Sequence, residues 1–160
     1  MAKNATGEWR IMPHVGVGPL RFGMNRLEVR ALLGANVSTF KKTPWSLTDT
    51  DAYNDLGFHL YYDRADRLEC VEAWGPSCIV YEDMPLVNGT TQETLEGLAK
   101  LGLIHGYDDG YLFDTAGFAL YAPGDKVEAV TVYRDGYYDG MTEEVNRARE
   151  YLARGRQPRD

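Results

Sequence analysis

Cysteine is scarce in this chain: Cys70 and Cys78 are the whole complement among 160 residues. Two are too few for a disulfide framework, and their spacing suits no structural zinc site. Histidine is equally sparse. His14, His59 and His105 stand alone, with no His-x-His or His-x-x-x-His pair to hold a metal, so no metal is expected. No serine or cysteine has the flanking glycines of a nucleophile elbow. The chain therefore reads as a non-enzyme with no catalytic residue and no cofactor. Long hydrophobic runs are missing too. Nothing approaches the ~20 apolar residues that span a bilayer, and Met1 to Glu8 is polar rather than basic-then-apolar. The expectation is a cytoplasmic protein with no membrane partner.

Positive charge is thin where the chain is longest. Residues 43–140 hold five Lys/Arg against eighteen Asp/Glu, whereas residues 1–42 hold seven against two, and the net charge is −7. A field of that sign repels phosphate backbones, so nucleic acid is not an expected partner; it steers a basic protein toward the acidic stretch. Two familiar loop motifs are incomplete. Gly16-Val17-Gly18 runs straight into Pro19, with no third glycine in place and no long strand before it, so it is not a dinucleotide loop. A calcium loop begun at Asp49 would need glycine at its sixth position and glutamate at its twelfth. It meets Asn54 and Leu60 instead.

What is present is a hairpin written twice. Gly57-Phe58-His59-Leu60-Tyr61-Tyr62 and Leu68 to Trp74 are matched by Gly117-Phe118-Ala119-Leu120-Tyr121-Ala122 and Val127 to Tyr133. The arms alternate apolar and polar residues as strands do. Before the first copy lie a short strand at Trp9 to Met12, a turn with a short extended piece, and a helix opened by Asn25 with Glu28 as a capping box and closed by Gly34. Cys78 to Met84 reads as a strand. Gln92 to Leu101 reads as a helix capped by Thr91, with Leu95, Leu98 and Leu101 as its buried stripe. The expected architecture is α+β: one domain over residues 1–160, built of two tandem helix-plus-hairpin repeats, about 15–84 and 85–134. They form one antiparallel sheet with helices on one face, and a C-terminal helix follows over about 142–153.

Pairing Leu60 with Cys70 divides the hairpins into faces. Phe58, Leu60, Tyr62, Leu68 and Cys70 fall on the core face, as do Phe118, Leu120, Ala122, Val127 and Ala129. His59, Tyr61, Glu69, Val71 and Ala73 fall on the other, with Ala119, Tyr121, Glu128, Val130 and Val132. Tyrosines and glutamates among short apolar residues make the composition of a protein-binding surface. The acidic loops add Asp49, Asp51 and Asp55 before the first hairpin, and Tyr107, Asp108, Asp109 and Tyr111 before the second. The partner-binding set is thus His59, Tyr61, Glu69, Tyr121, Glu128 and these loop residues.

Gly18-Pro19-Leu20-Arg21-Phe22-Gly23-Met24, with Glu28-Val29, Leu32-Leu33-Gly34 and a strand pair ending in Val71-Glu72, resembles the helical module of the small bacterial BamE and SmpA lipoproteins. Two such units in tandem are similar in plan to the beta-lactamase inhibitor protein fold, and the chain resembles the immunity-type proteins that bacteria encode beside polymorphic toxins. The lipoproteins' lipidated cysteine and the secreted inhibitor's disulfides have no counterpart here. The resemblance therefore implies a cytoplasmic immunity or inhibitor protein that binds a cognate toxin or enzyme, basic in charge, through a sheet face. The alternative is a small-molecule-binding or enzymatic α+β domain with a pocket around His59, Tyr61 and Glu69. A third reading is a self-associating scaffold subunit.

Overall fold

The computed structural model describes residues 7–107, 110–137 and 150–154. In chain order the elements are β1 (Trp9–Met12), β2 (Gly16–Val17), β3 (Leu20–Arg21), α1 (Arg26–Leu33), β4 (Ser38–Phe40), β5 (Thr50–Tyr53), β6 (Phe58–Tyr62), β7 (Leu68–Trp74), β8 (Ile79–Tyr81), β9 (Met84–Pro85), α2 (Thr91–Lys100), β10 (Gly106–Tyr107), β11 (Tyr111–Phe113), β12 (Phe118–Tyr121) and β13 (Ala129–Tyr133). A 3-10 turn, Asp114–Ala116, joins β11 to β12.

These strands form two sheets. The larger has eight antiparallel strands in the order β10-β11-β12-β13-β7-β6-β5-β4; the smaller has five, β3-β2-β1-β8-β9, with β1 and β8 parallel. The expectation of one antiparallel sheet with helices on a face is therefore corrected: the fold is mainly β, and a second sheet takes the place assigned to helices. The reason lies in the pieces read as turn and extended chain. Gly16–Val17 and Leu20–Arg21 close onto β1, and β1 pairs with β8 through Trp9↔Ile79 and Arg10↔Val80. Two-residue strands have no periodicity to read.

The core lies between the sheets. Phe58, Leu60, Val71, Ala73, Phe118, Val130 and Val132 line the inner face of the large sheet with no exposed surface. Trp9 from β1 meets Phe58 edge-on at 4.8 Å, and Tyr81 from β8 meets Phe118 at 5.3 Å. Both helices serve as flanks. In α1 the Asn25 side chain accepts from Glu28 N–H while Glu28 accepts from Asn25 N–H, the reciprocal box that satisfies two otherwise orphaned donors. Val29 is its buried residue. For α2 the cap is Thr90 rather than Thr91, since Thr90 Oγ1 accepts from Glu93 N–H. Leu98 enters the core, but Leu101, expected in the stripe, is exposed.

The hairpins carry a register one residue away from the expected one. Leu60 pairs with Val71 and Tyr61 with Cys70, and a shift between Tyr61 and Tyr62 then pairs Tyr62 with Leu68. In the second hairpin Leu120 pairs with Val130 and Phe118 with Val132. Because side chains alternate, a one-residue slip moves a whole arm to the opposite face. Val71, Ala73, Val130 and Val132 belong to the core face, while Cys70 and Ala129 lie on the other.

A left-handed glycine opens each hairpin. Gly57 has φ +76° and Gly117 has φ +73°, but an added Cβ at Gly57 would sit 2.3 Å from the Trp74 carbonyl oxygen, whereas at Gly117 it would meet His14 at 3.0 Å. The Trp74 carbonyl cannot give way, because Trp74 N–H donates to Gly57 O and locks the two strands together. Gly57→Ala is therefore expected to cost about 3 kcal/mol in urea unfolding, and Gly117→Ala about 1 kcal/mol less. Equal costs would show that the close approach to Trp74 does not matter.

Candidate partner-binding face

The second sheet packs on the inner face of the large sheet, and among the described residues the outer face is covered at one end and half-exposed elsewhere. Its central row follows from the register: Leu112 on β11, Ala119 on β12, Thr131 on β13, Glu72 on β7, His59 on β6 and Ala52 on β5. All but Ala52 are half-buried. Between Tyr121 and Tyr133 at its two ends, the β12–β13 half carries the short side chains of Ala119, Ala129 and Thr131, and the β4–β7 half is lined by rings. His59 lies 4.4 Å from Trp74, 5.0 Å from Phe40 and 6.5 Å from Tyr61 between ring centroids.

Glu72 sits at the middle of this cluster. The Tyr61 hydroxyl donates to Glu72 Oε1 at 2.7 Å, and His59 Nδ1 is 3.5 Å from the same oxygen. Burial, reinforced by that carboxylate, pushes the Tyr61 hydroxyl well above the usual phenol range. Tyr61 thus stays neutral and donates. On its other side the Lys42 ammonium stands 4.5 Å over the ring, a cation–π contact. One end of the face is already covered. Cys70 is fully buried, burial pushes its thiol up, and Tyr137 stacks at 5.7 Å on its register neighbour Tyr133.

Of the residues expected to bind a partner, His59 and Tyr61 come together here, and Tyr121 is on the same face in register with Ala129. Glu69 does not join them. The register shift carries it away, and it pairs with Arg134 at 3.2 Å. Its place is taken by Glu72, which sequence reasoning passed over along with Trp74 and Phe40. Glu128 is exposed in the connection between β12 and β13, where its N–H donates to Tyr121 O at 2.8 Å.

The loop residues are dispersed. Asp49 is exposed, 3.9 Å from Lys41, and Asp55 is held by the Asn36 amide. Asp51 is fully buried on the inner face, bound to Arg26 at 2.8 Å and Arg30 at 2.7 Å. It holds α1 and offers nothing to a partner. Tyr107 and Tyr111 pack together at 5.2 Å on the far edge, in the row of inner-face Leu120. Asp108, Asp109 and most of the expected C-terminal helix lie outside the described residues; residues 150–153 are helical, with Tyr151 at 5.8 Å from Trp45. Among the described residues no three His, Cys, Asp or Glu side chains converge as a metal site, and no helix is long and apolar enough to cross a membrane. No family model, curated protein or solved structure matches the chain, so the outer face itself has to carry the functional reading.

Proposed function

We propose that this is a cytoplasmic immunity or inhibitor protein, which neutralises a toxin or enzyme domain by docking the outer face of its large sheet against it. One observation carries the reading: a ring-lined face with a carboxylate at its middle stands half-exposed while the opposite face is sealed. An idle sheet surface has no reason to keep Phe40, His59, Tyr61 and Trp74 partly in water; aromatic anchors are what protein interfaces concentrate. The acidic balance of residues 43–140 adds steering toward a basic partner.

The test is calorimetric titration of the purified chain with the basic toxin or enzyme domain encoded by a neighbouring gene, alongside a co-expression rescue of growth. Binding at or below micromolar concentration, weakening as salt rises, and rescue that tracks affinity are expected. A toxin domain that neither binds at micromolar concentration nor is silenced by co-expression would overturn the reading.

A further inference from the structure

The chemistry of the cluster narrows what it meets. Glu72 uses one carboxylate oxygen for Tyr61 and His59; among the described residues its other oxygen accepts no hydrogen bond and no lysine or arginine pairs with it. Next to it across the seam are Thr131 and, beside Trp74, Ala129, side chains too short to cover either residue. A half-exposed carboxylate with a vacant oxygen, beside a Trp and a His ring 4.4 Å apart, is complementary to a flat cation. Within the same cluster the chain's own Lys42 already uses the Tyr61 ring in this way.

We infer that Glu72, walled by His59, Tyr61 and Trp74, receives an arginine side chain of the partner. Arginine fits better than lysine: its planar fork bonds a carboxylate through N–H donors while its face stacks on an aromatic ring. The inference rests on the reading above that this face meets a partner, and it names the contact at the centre. It also gives the acidic surface a division of labour, with Asp49 and Asp55 at the rim steering and Glu72 selecting.

The experiment is an amide and indole NMR titration of the full chain with N-acetyl-arginine amide, using N-acetyl-citrulline amide as the uncharged analogue of the same shape. Saturable shifts are expected at the Trp74 indole N–H and at the amides of 59, 61, 72 and 131, with citrulline at least about tenfold weaker. Glu72→Gln, which keeps size and leaves the melting temperature in place, is expected to remove the arginine response. Equal responses to citrulline, shifts scattered away from these residues, or an unchanged titration in Glu72→Gln would overturn the site. The two proposals fail separately. If the toxin domain binds Glu72→Gln as tightly as the parent, the arginine site is wrong and neutralisation stands; if the arginine compound titrates Glu72 but no toxin domain binds, the reverse holds.

Discussion

Replacing Asp51 with alanine is expected to lower the unfolding free energy by about 3–5 kcal/mol, the range for breaking a buried ion pair from one side. The carboxylate has no exposed surface. It accepts from Arg26 Nη1 at 2.8 Å, from Arg30 Nε and Nη2 at 2.9 and 2.7 Å, and from the Tyr62 hydroxyl at 3.3 Å. Arg26 also grips Asp66 and the Asp49 carbonyl, with its guanidinium 4.0 Å over the Tyr62 ring. Burial opposes the Arg26 charge, but the Asp66 hydrogen bond and the charges of Asp51 and Asp66 outweigh it and hold its pKa above the ordinary value. Without Asp51 two arginines keep their burial and lose their shared anion. An eight-residue helix such as α1 has little stability of its own, so α1 is expected to loosen from the sheet. Asp51→Asn keeps the shape and is expected to cost less. Urea unfolding with unchanged m-value measures both; a loss under about 1 kcal/mol for Asp51→Ala, the level of a surface pair, would remove the clamp from the account.

The same network has a pH signature. Asp66 is held below the usual carboxylate range by its hydrogen bond to Arg26. A depressed folded pKa stabilises above the unfolded value of about 3.9, and that contribution is lost as the pH falls through the folded value. Half of the Asp66 side chain faces solvent, so the effect is expected to be small. Asp66→Asn should therefore lower the neutral plateau slightly and flatten the acid limb, the two stability curves converging at low pH.

Local signals were readable and long-range ones were not. The Asn25–Glu28 box and the paired hairpins could be seen because their partners lie close in sequence. Phe58, Leu60, Phe118 and Leu120 could be placed in the core because alternation needs no partner. On the other arms Leu68 and Val127 are in the core as expected, but from Cys70 and Ala129 onward the faces were misplaced by one residue, since nothing local distinguishes Cys70 from Val71 as the residue opposite Leu60, and that slip hid Glu72 and Trp74 from view. Asp51 misled for a different reason. Thr48-Asp49-Thr50-Asp51 reads as a solvated acidic loop, yet Arg26 and Arg30 stand one turn apart on the face of α1 that carries Val29. Two cations on the buried side of a helix call for an anion, and that was the available signal. The five-stranded sheet gave least warning, because β2, β3 and β9 are two residues each.

The face assignment can be tested by two ring deletions at neighbouring positions. Phe58 pairs with Ala73, the residue before Trp74, but Phe58 points into the core against Trp9 while Trp74 points out beside His59. Phe58→Ala removes a fully buried ring that joins the two sheets, and a loss of about 3–5 kcal/mol is expected. Trp74→Ala removes a half-buried ring and leaves no closed cavity, so a loss of about 1 kcal/mol is expected. Binding should reverse the order. A central Trp anchor is worth about 2 kcal/mol or more to an interface, equivalent to about thirtyfold in affinity. If the proposed function holds, Trp74→Ala should therefore weaken binding of the proposed toxin domain by at least about that factor, through faster dissociation. Phe58→Ala, assayed at a temperature where it stays folded, should leave affinity close to the parent. Tyr61→Ala is expected to behave like Trp74→Ala, since its ring and hydroxyl hold Glu72 in place. If Phe58→Ala and Trp74→Ala lose stability and affinity in proportion, the outer face is structural surface and the partner docks elsewhere. If the two effects separate, the inner face is the fold's and the outer face is the partner's.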